Sequence, residues 1–285
     1  VGFDQQKLQA ALETRRQSQY LPFSFHIFDT VTSTNQTLWE LLEQQAKPGT
    51  VVIATQQTKG RGQWGRQWIS SDGGLYLSVA VDCQIKPANV YQLTLATAWG
   101  IAKELRKFSI PVEIKWPNDL VLNGYKLGGI LTETKLQQKI KAVIGVGINW
   151  ANLVPETGIT LVNWQNSQNL HPILCLEALA SVVLLGIESG LECLFTEGVT
   201  TLLSSYVSLL TNIGEKVYVN SKSGTIVGVT SQGELRVCTD ENSTVIKNES
   251  EIKITEIRLQ PGTISLGYSR SERLTSPMGN EISGF

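Results

Sequence analysis

The residues of this chain best suited to chemistry lie in two short stretches, one rich in glycine and arginine, the other built on lysine, asparagine and aspartate. The first reads Gly60-Arg61-Gly62-Gln63-Trp64-Gly65-Arg66-Gln67-Trp68. Glycines let a backbone approach a ligand closely. Arg61 and Arg66 can pair with phosphate or carboxylate oxygens, and Trp64 and Trp68 can exclude water. The opening six residues match GxGxxG, but a dinucleotide-binding turn needs its third glycine to open a helix. Here residues 66–74 lead into another strand, which removes a nicotinamide-dependent enzyme. A Walker loop fails as well, because no GKS or GKT follows. What remains is a long cationic loop between two strands.

The second stretch is Lys115-Trp116-Pro117-Asn118-Asp119-Leu120, with Lys126 shortly after it and Leu127-Gly128-Gly129-Ile130-Leu131 beyond. It sets a cation, an amide and a carboxylate around a proline-fixed turn at a strand end. Other chemistries are poorly served. His26 and His171 lie far apart, and Cys83, Cys175, Cys193 and Cys238 form no CxxC pair, so a zinc site is disfavoured. No GxSxG elbow is present. A formal net charge of −1 gives the molecule no general attraction to nucleic acid or acidic membranes.

The elements that must position these groups follow from periodicity. Helical spacing is expected over 4–16, over 36–45 behind the small polar cluster Thr32-Ser33-Thr34-Asn35, over 90–108, and over 173–195 and 199–210. Strands are expected over 23–29, 50–55, 75–81, 112–116 and 142–149. A hairpin is expected from 119–122 and 126–133 around Asn123-Gly124-Tyr125. Residues 173–191 come nearest to a membrane span, but Glu177 and Glu188 interrupt them, and the expectation is a buried helix. With no cleavable leader in view, a cytoplasmic protein is expected. The 285 residues, 41% hydrophobic and 17% charged, suit one large globular unit and a small one. The expected division is 1–212, a small β-barrel over 213–259 where short alternating strands recur, and a flexible tail over 260–285.

With both stretches in hand, the sequence resembles the biotin protein ligase family. The resemblance rests on GRGQWGRQW (60–68), KWPNDLVLNGYKLGGIL (115–131), Ser33-Thr34-Asn35 and Gly145-Val146-Gly147-Ile148-Asn149. It runs from about residue 25 to 259. It implies an α+β fold: a mixed sheet with helices on one side, like class II aminoacyl-tRNA synthetases, plus a C-terminal SH3-like barrel. It also implies a form without an N-terminal DNA-binding domain, since only about thirty residues precede Ser33.

The implied reaction joins biotin's carboxylate to the α-phosphate of ATP, giving biotinyl-5′-AMP, and then transfers biotin to a lysine of a carrier protein. The resemblance gives catalytic roles to Lys126, Arg61 and Asp119, and biotin contacts to Ser33, Thr34, Asn35, Gln57, Arg61, Gly62, Gln63 and Lys126. ATP contacts would fall to Arg61, Arg66, Trp68, Lys115, Asn118 and Asn149, and Mg²⁺ to Asp119. Biotin and ATP are substrates, with no tightly bound organic cofactor. The partner is a biotin carboxyl carrier protein of acetyl-CoA carboxylase, with no nucleic acid and no membrane, and a homodimer is left open. Gln63 departs from the family, where arginine is common at that place. A lipoate or octanoate ligase or transferase is the alternative within the same superfamily, and a regulatory ligand-binding protein or corepressor is the alternative outside it.

Overall fold

The β-branched run at residue 50 forms the strand β2 (Thr50–Gln57), whose first five residues are buried. β1 (Ser24–Val31) pairs with it in parallel and β3 (Leu75–Cys83) antiparallel. β7 (Ile140–Ile148), β6 (Tyr125–Leu136), β5 (Asp119–Leu122) and β4 (Glu113–Lys115) extend the sheet, all antiparallel. The result is a mixed seven-stranded sheet in the order β1-β2-β3-β7-β6-β5-β4. The structure is a computed structural model that describes residues 2–83, 85–136, 140–219, 222–239, 255–264 and 266–268.

Strand alternation divides the apolar residues between the two faces. Val51, Ile53, Val79, Val81 and Ile144 meet α1 (Gln5–Glu13), α3 (Tyr91–Arg106), α5 (Leu176–Glu192) and α6 (Val199–Val207) in the main core. Val52, Ala80 and Val143 point the other way and pack on Leu38, Trp39 and Leu42 of α2 (Thr34–Glu43). The expected one-sided helical layer therefore describes four of these helices, and α2 covers the opposite face. A short helix not expected from periodicity, α4 (Leu161–Gln168), is capped by the Thr160 hydroxyl.

Leu176–Glu197 is long and apolar enough to cross a membrane by length and composition, but most of it is buried inside the fold. Two of its acidic residues, Glu177 and Glu188, are paired inside the fold. Glu188 accepts from Arg16 and from the Leu21 amide, and Glu177 from the Asp4 amide.

The expected small β unit forms a separate antiparallel sheet in the order β11-β10-β9-β8: β8 (Lys216–Val219), β9 (Lys222–Val229), β10 (Leu235–Thr239) and β11 (Thr255–Leu259). Its inward Ile226, Val229, Leu235 and Val237 merge with the main core. The Trp116 indole donates to the Gly233 carbonyl at 2.9 Å across the join. The tail expected from residue 260 needs a correction. After β11 the chain turns and comes back over the large sheet, burying Leu266 in the main core. Residues 269–285, the rest of that expected tail, lie outside the described residues.

Candidate active site

The glycine loop closes on itself as a small hairpin. The Trp68 amide donates to the Gly60 carbonyl at 3.0 Å, and the Gly62 amide to the Arg66 carbonyl at 2.7 Å. Gly60 is required there, because a Cβ would stand 2.4 Å from the Trp68 carbonyl. After Gly65 the backbone of Arg66 is extended, so no helix opens and the dinucleotide reading fails as expected. Trp64 crowns the turn in the left-handed region at φ 54°. Trp68 drops onto the sheet against Gly147, where a Cβ would meet its indole nitrogen at 2.6 Å.

The opposite wall is the β4–β5–β6 meander. Asn123 and Gly124 both take positive φ, as a tight hairpin connection requires. Regular pairing from Asp119↔Gly129 and Leu120↔Gly128 would bring Leu127 opposite Val121. A bulge inserts one residue, and Lys126 stands there instead. That shift decides the site. Side chains alternate between faces, so the extra residue turns Lys126 onto the face of Asp119 and leaves Leu127 buried in the core. Lys126 Nζ lies 2.6 Å from Asp119 Oδ1. Behind it, the Asn149 side chain donates to the Lys126 carbonyl at 3.1 Å. Asn118 reaches across to donate to the Ile130 carbonyl at 2.8 Å. The preceding turn, with a cis Trp116–Pro117 bond, is held by the buried Tyr206 hydroxyl, which donates to the Pro117 carbonyl at 2.9 Å.

At the other end the groups are polar but neutral. Ser33 occupies the N-cap of α2 without making a capping bond. Gln57 takes that role from β2, its Oε1 accepting from the Thr34 amide at 2.8 Å. Ser78 donates to Asn35 Oδ1 at 2.6 Å, and Asn35 donates to Glu133 at 2.8 Å. Glu133 also pairs with Arg61 at 2.9 Å.

The two walls and the neutral end border an open cleft, with about 990 Å³ of space between them that includes open solvent. The loop, Lys115 to Asp119, Lys126 and the α2 N-terminus all line it. Every site residue expected from sequence is among the lining, with the exception of Asn149. That side chain is spent on the Lys126 carbonyl and on Asn152, so it supports the lysine from behind and does not face the cleft. Lys115, Lys126, Arg61 and Arg66 make the floor cationic, and Asp119 is the only acidic lining residue among the described ones. Burial is the main cause that pushes the Lys115 ammonium below its ordinary pKa; Asp119 opposes the shift, and Lys126 and Arg66 add to it. Gln63 Oε1 and the Trp68 indole N–H are buried without a hydrogen-bond partner among the described residues.

Sequence reasoning missed Ser78, Glu133 and Tyr268. Ser78 is a fully buried hydroxyl within the buried run of residues 75–81, which is a usable signal. Glu133 and Tyr268 carried none, since their partners lie far away in sequence.

A cleft with a cationic floor and a neutral polar end suits a small carboxylic acid beside a nucleotide. Residues 27–149, which hold both motifs, match the Biotin/lipoate A/B protein ligase family. The bifunctional ligase/repressor BirA of Bacillus subtilis (strain 168) is 30% identical over 246 residues, 82% of this chain and 74% of that protein. The chain belongs to the biotin protein ligase family. Ligation of biotin to protein is the activity that goes with this membership. BirA of Bacillus spizizenii is 36% identical over 147 residues, a match that spans only 44% of that protein. Among solved structures, the biotin protein ligase of Aquifex aeolicus in complex with biotin and ATP superposes with a TM-score of 0.66 at 27% identity. It covers 82% of this chain and 95% of that one.

Proposed function

We propose that this biotin protein ligase carries out both half-reactions in the one cleft, with Lys126 at the reacting atoms. The observation that carries this reading is the bulge-directed placement of Lys126 beside Asp119, between the cationic floor and the neutral polar end. Biotin lies with its ureido ring toward Ser33, Thr34, Asn35 and Gln57 and its carboxylate toward Lys126. Gly62 and Gln63 of the loop close over it. The nucleotide lies on the Lys115, Asn118 and Arg66 side, with Trp68 between the two.

In the first step a biotin carboxylate oxygen attacks the α-phosphorus and pyrophosphate leaves. Two anions must meet, so Lys126 and Arg61 lower the barrier by holding both against their charge repulsion. In the second step the carrier lysine's amine attacks the acyl carbon, AMP leaves, and the amine gives up a proton. Asp119, which lines the cleft beside Lys126, holds that proton or steadies the incoming ammonium in this reading.

Among the described residues, no group of three or more His, Cys, Asp or Glu could hold a metal. The single hard carboxylate of Asp119 fits a Mg²⁺ ion that arrives on the nucleotide, since Mg²⁺ commonly takes one carboxylate with phosphate oxygens. Such an ion would neutralise charge on the phosphates. The protein partner is a biotin carboxyl carrier domain of acetyl-CoA carboxylase.

Incubation with ATP, Mg²⁺, biotin and that carrier domain, followed by intact-mass measurement, tests the reading. The carrier is expected to gain one biotinyl group. An unmodified carrier, or equal modification with lipoate, overturns it.

A further inference from the structure

The segment that follows β11 contributes to the cleft. Gly262, Ile264 and Leu266 line it, and Gly262 lies so close to Trp64 that a Cβ there would meet the indole nitrogen at 2.5 Å. Two residues beyond Leu266, Tyr268 reaches the chemistry. Its hydroxyl donates to Asp119 Oδ2 at 2.5 Å, and its ring face lies 3.5 Å from Lys115 Nζ. The second Asp119 oxygen is held by Lys126 at 2.6 Å, and Lys126 in turn stands 5.2 Å from the Trp68 ring. A continuous ladder thus runs from Lys115 through Tyr268, Asp119 and Lys126 to Trp68. It ties the C-terminal strap to the meander and to the glycine loop.

The geometry points to Tyr268 as a positioning residue for the adenylation step, holding Asp119 by its hydroxyl and Lys115 by its ring on the nucleotide side of the cleft. The two contacts are separable. A carboxylate gripped at both oxygens, by Lys126 and by the phenol, cannot swing about its Cβ–Cγ bond, and small displacements of reacting groups cost large factors in rate. A cation over an aromatic face keeps its charge directed while it is shielded from water. Burial and the nearby Asp119 carboxylate both raise the phenol's pKa, so it stays a neutral donor.

This assignment rests on the ligase reading, and its test uses the full-length chain. Biotinyl-5′-AMP formation from labelled ATP is followed for wild type, Tyr268→Phe and Tyr268→Leu, with melting temperatures alongside. Phe keeps the ring and loses the hydroxyl: kcat for adenylation is expected to fall about tenfold with KM for ATP within about twofold of wild type. Leu loses both contacts: a similar fall in kcat is expected, together with a rise in KM for ATP of about tenfold. KM for biotin is expected to stay within about twofold in both variants.

A Phe variant with wild-type kcat overturns the proposal, as does a Leu variant with wild-type KM for ATP. So does a uniform change of all three constants in step with a lowered melting temperature, which is what mere packing would produce. The isosteric Phe variant keeps the test decisive should Leu not fold. A wild-type chain that forms no biotinyl-5′-AMP brings down the ligase reading, and this proposal with it; an active wild type that Tyr268→Phe matches brings down this proposal alone.

Discussion

The two walls of the cleft carry similar residue types on very different supports. On the meander, Lys126 has its amide and carbonyl bonded to the segment around Gly158, with Asn149 on the same carbonyl. Asn118 is tied to Ile130 through both backbone and side chain, and Trp116 and Tyr206 anchor the turn from beneath. On the glycine loop, Arg61 and Trp64 are about half exposed, and the hairpin is held mainly by its own backbone bonds. Trp68 roots it in the sheet, and the half-exposed Arg61 adds one ion pair to Glu133 of β6. Few buried contacts and several glycines mean a low cost of local opening, whereas a fully bonded meander opens only with the fold. The meander is thus a fixed template for the reacting charges. The loop is the less firmly held wall, a cover of the kind that opens locally.

The sharpest way to break that contrast is to strip the template of its central charge. Lys126→Ala is expected to lower biotinyl-5′-AMP formation by roughly a thousandfold or more, because one group neutralises both reacting anions. The chain should stay folded, since the ammonium is partly solvated and such pairs add little stability. Single-turnover assays with circular dichroism decide it. A near wild-type rate would show that the fixed wall does not carry the chemistry.

Much of this template was legible in the sequence, and the reason is physical. Lys115 to Leu131 is one local meander, so its chemistry and its turn residues sit within a single stretch of chain. Asn123-Gly124 announces the hairpin, and the glycine loop gives itself away by the strand that follows it. What could not be read depends on distant partners. The bulge that turns Lys126 toward Asp119 is a matter of pairing register, and the role of Asn149 as a prop depends on where Lys126 ends up.

The return of residues 262–264 and 266–268 was hidden for another reason. Ile264, Leu266 and Tyr268 alternate as a strand would, but composition averaged over 260–285 is dominated by Gly, Ser and charged residues and so suggests a tail. A pattern five residues long was outweighed by the window around it. Likewise, α2 on the far face of the sheet follows from the alternation of Val51, Val52 and Ile53, which a run of three apolar residues conceals.

A milder probe acts on the cover alone. Gly147→Ala would place a Cβ against the Trp68 indole, with 2.6 Å to its nitrogen. Inside a packed core such overpacking costs about 1–3 kcal/mol. Here the crowded partner belongs to the loop, so the loop should yield and not the sheet. The expected outcome is a KM for biotin or ATP raised roughly tenfold with little change in melting temperature. If stability falls while both KM values hold, the loop is as rigid as the meander, and the contrast between the walls is wrong.

The smallest effect should come from the position where this loop departs from its family. Gln63 lines the cleft with an acceptor oxygen that has no partner among the described residues, and it carries no charge. An arginine there would add a cation to the loop that closes over the intermediate. The pairing would be partly solvated, so it is expected to slow release of biotinyl-5′-AMP by only about tenfold or less, the equivalent of about 1.4 kcal/mol at most. The rate of adenylation should change less than release, because Lys126 sits on the other wall and Arg61 is kept. Release from wild type and Gln63→Arg can be followed by trapping the free intermediate. Equal release rates would mean that the cover closes without help from charge at this position. A changed adenylation rate with unchanged release would mean that loop and template act as one body, against the contrast drawn from their hydrogen bonds.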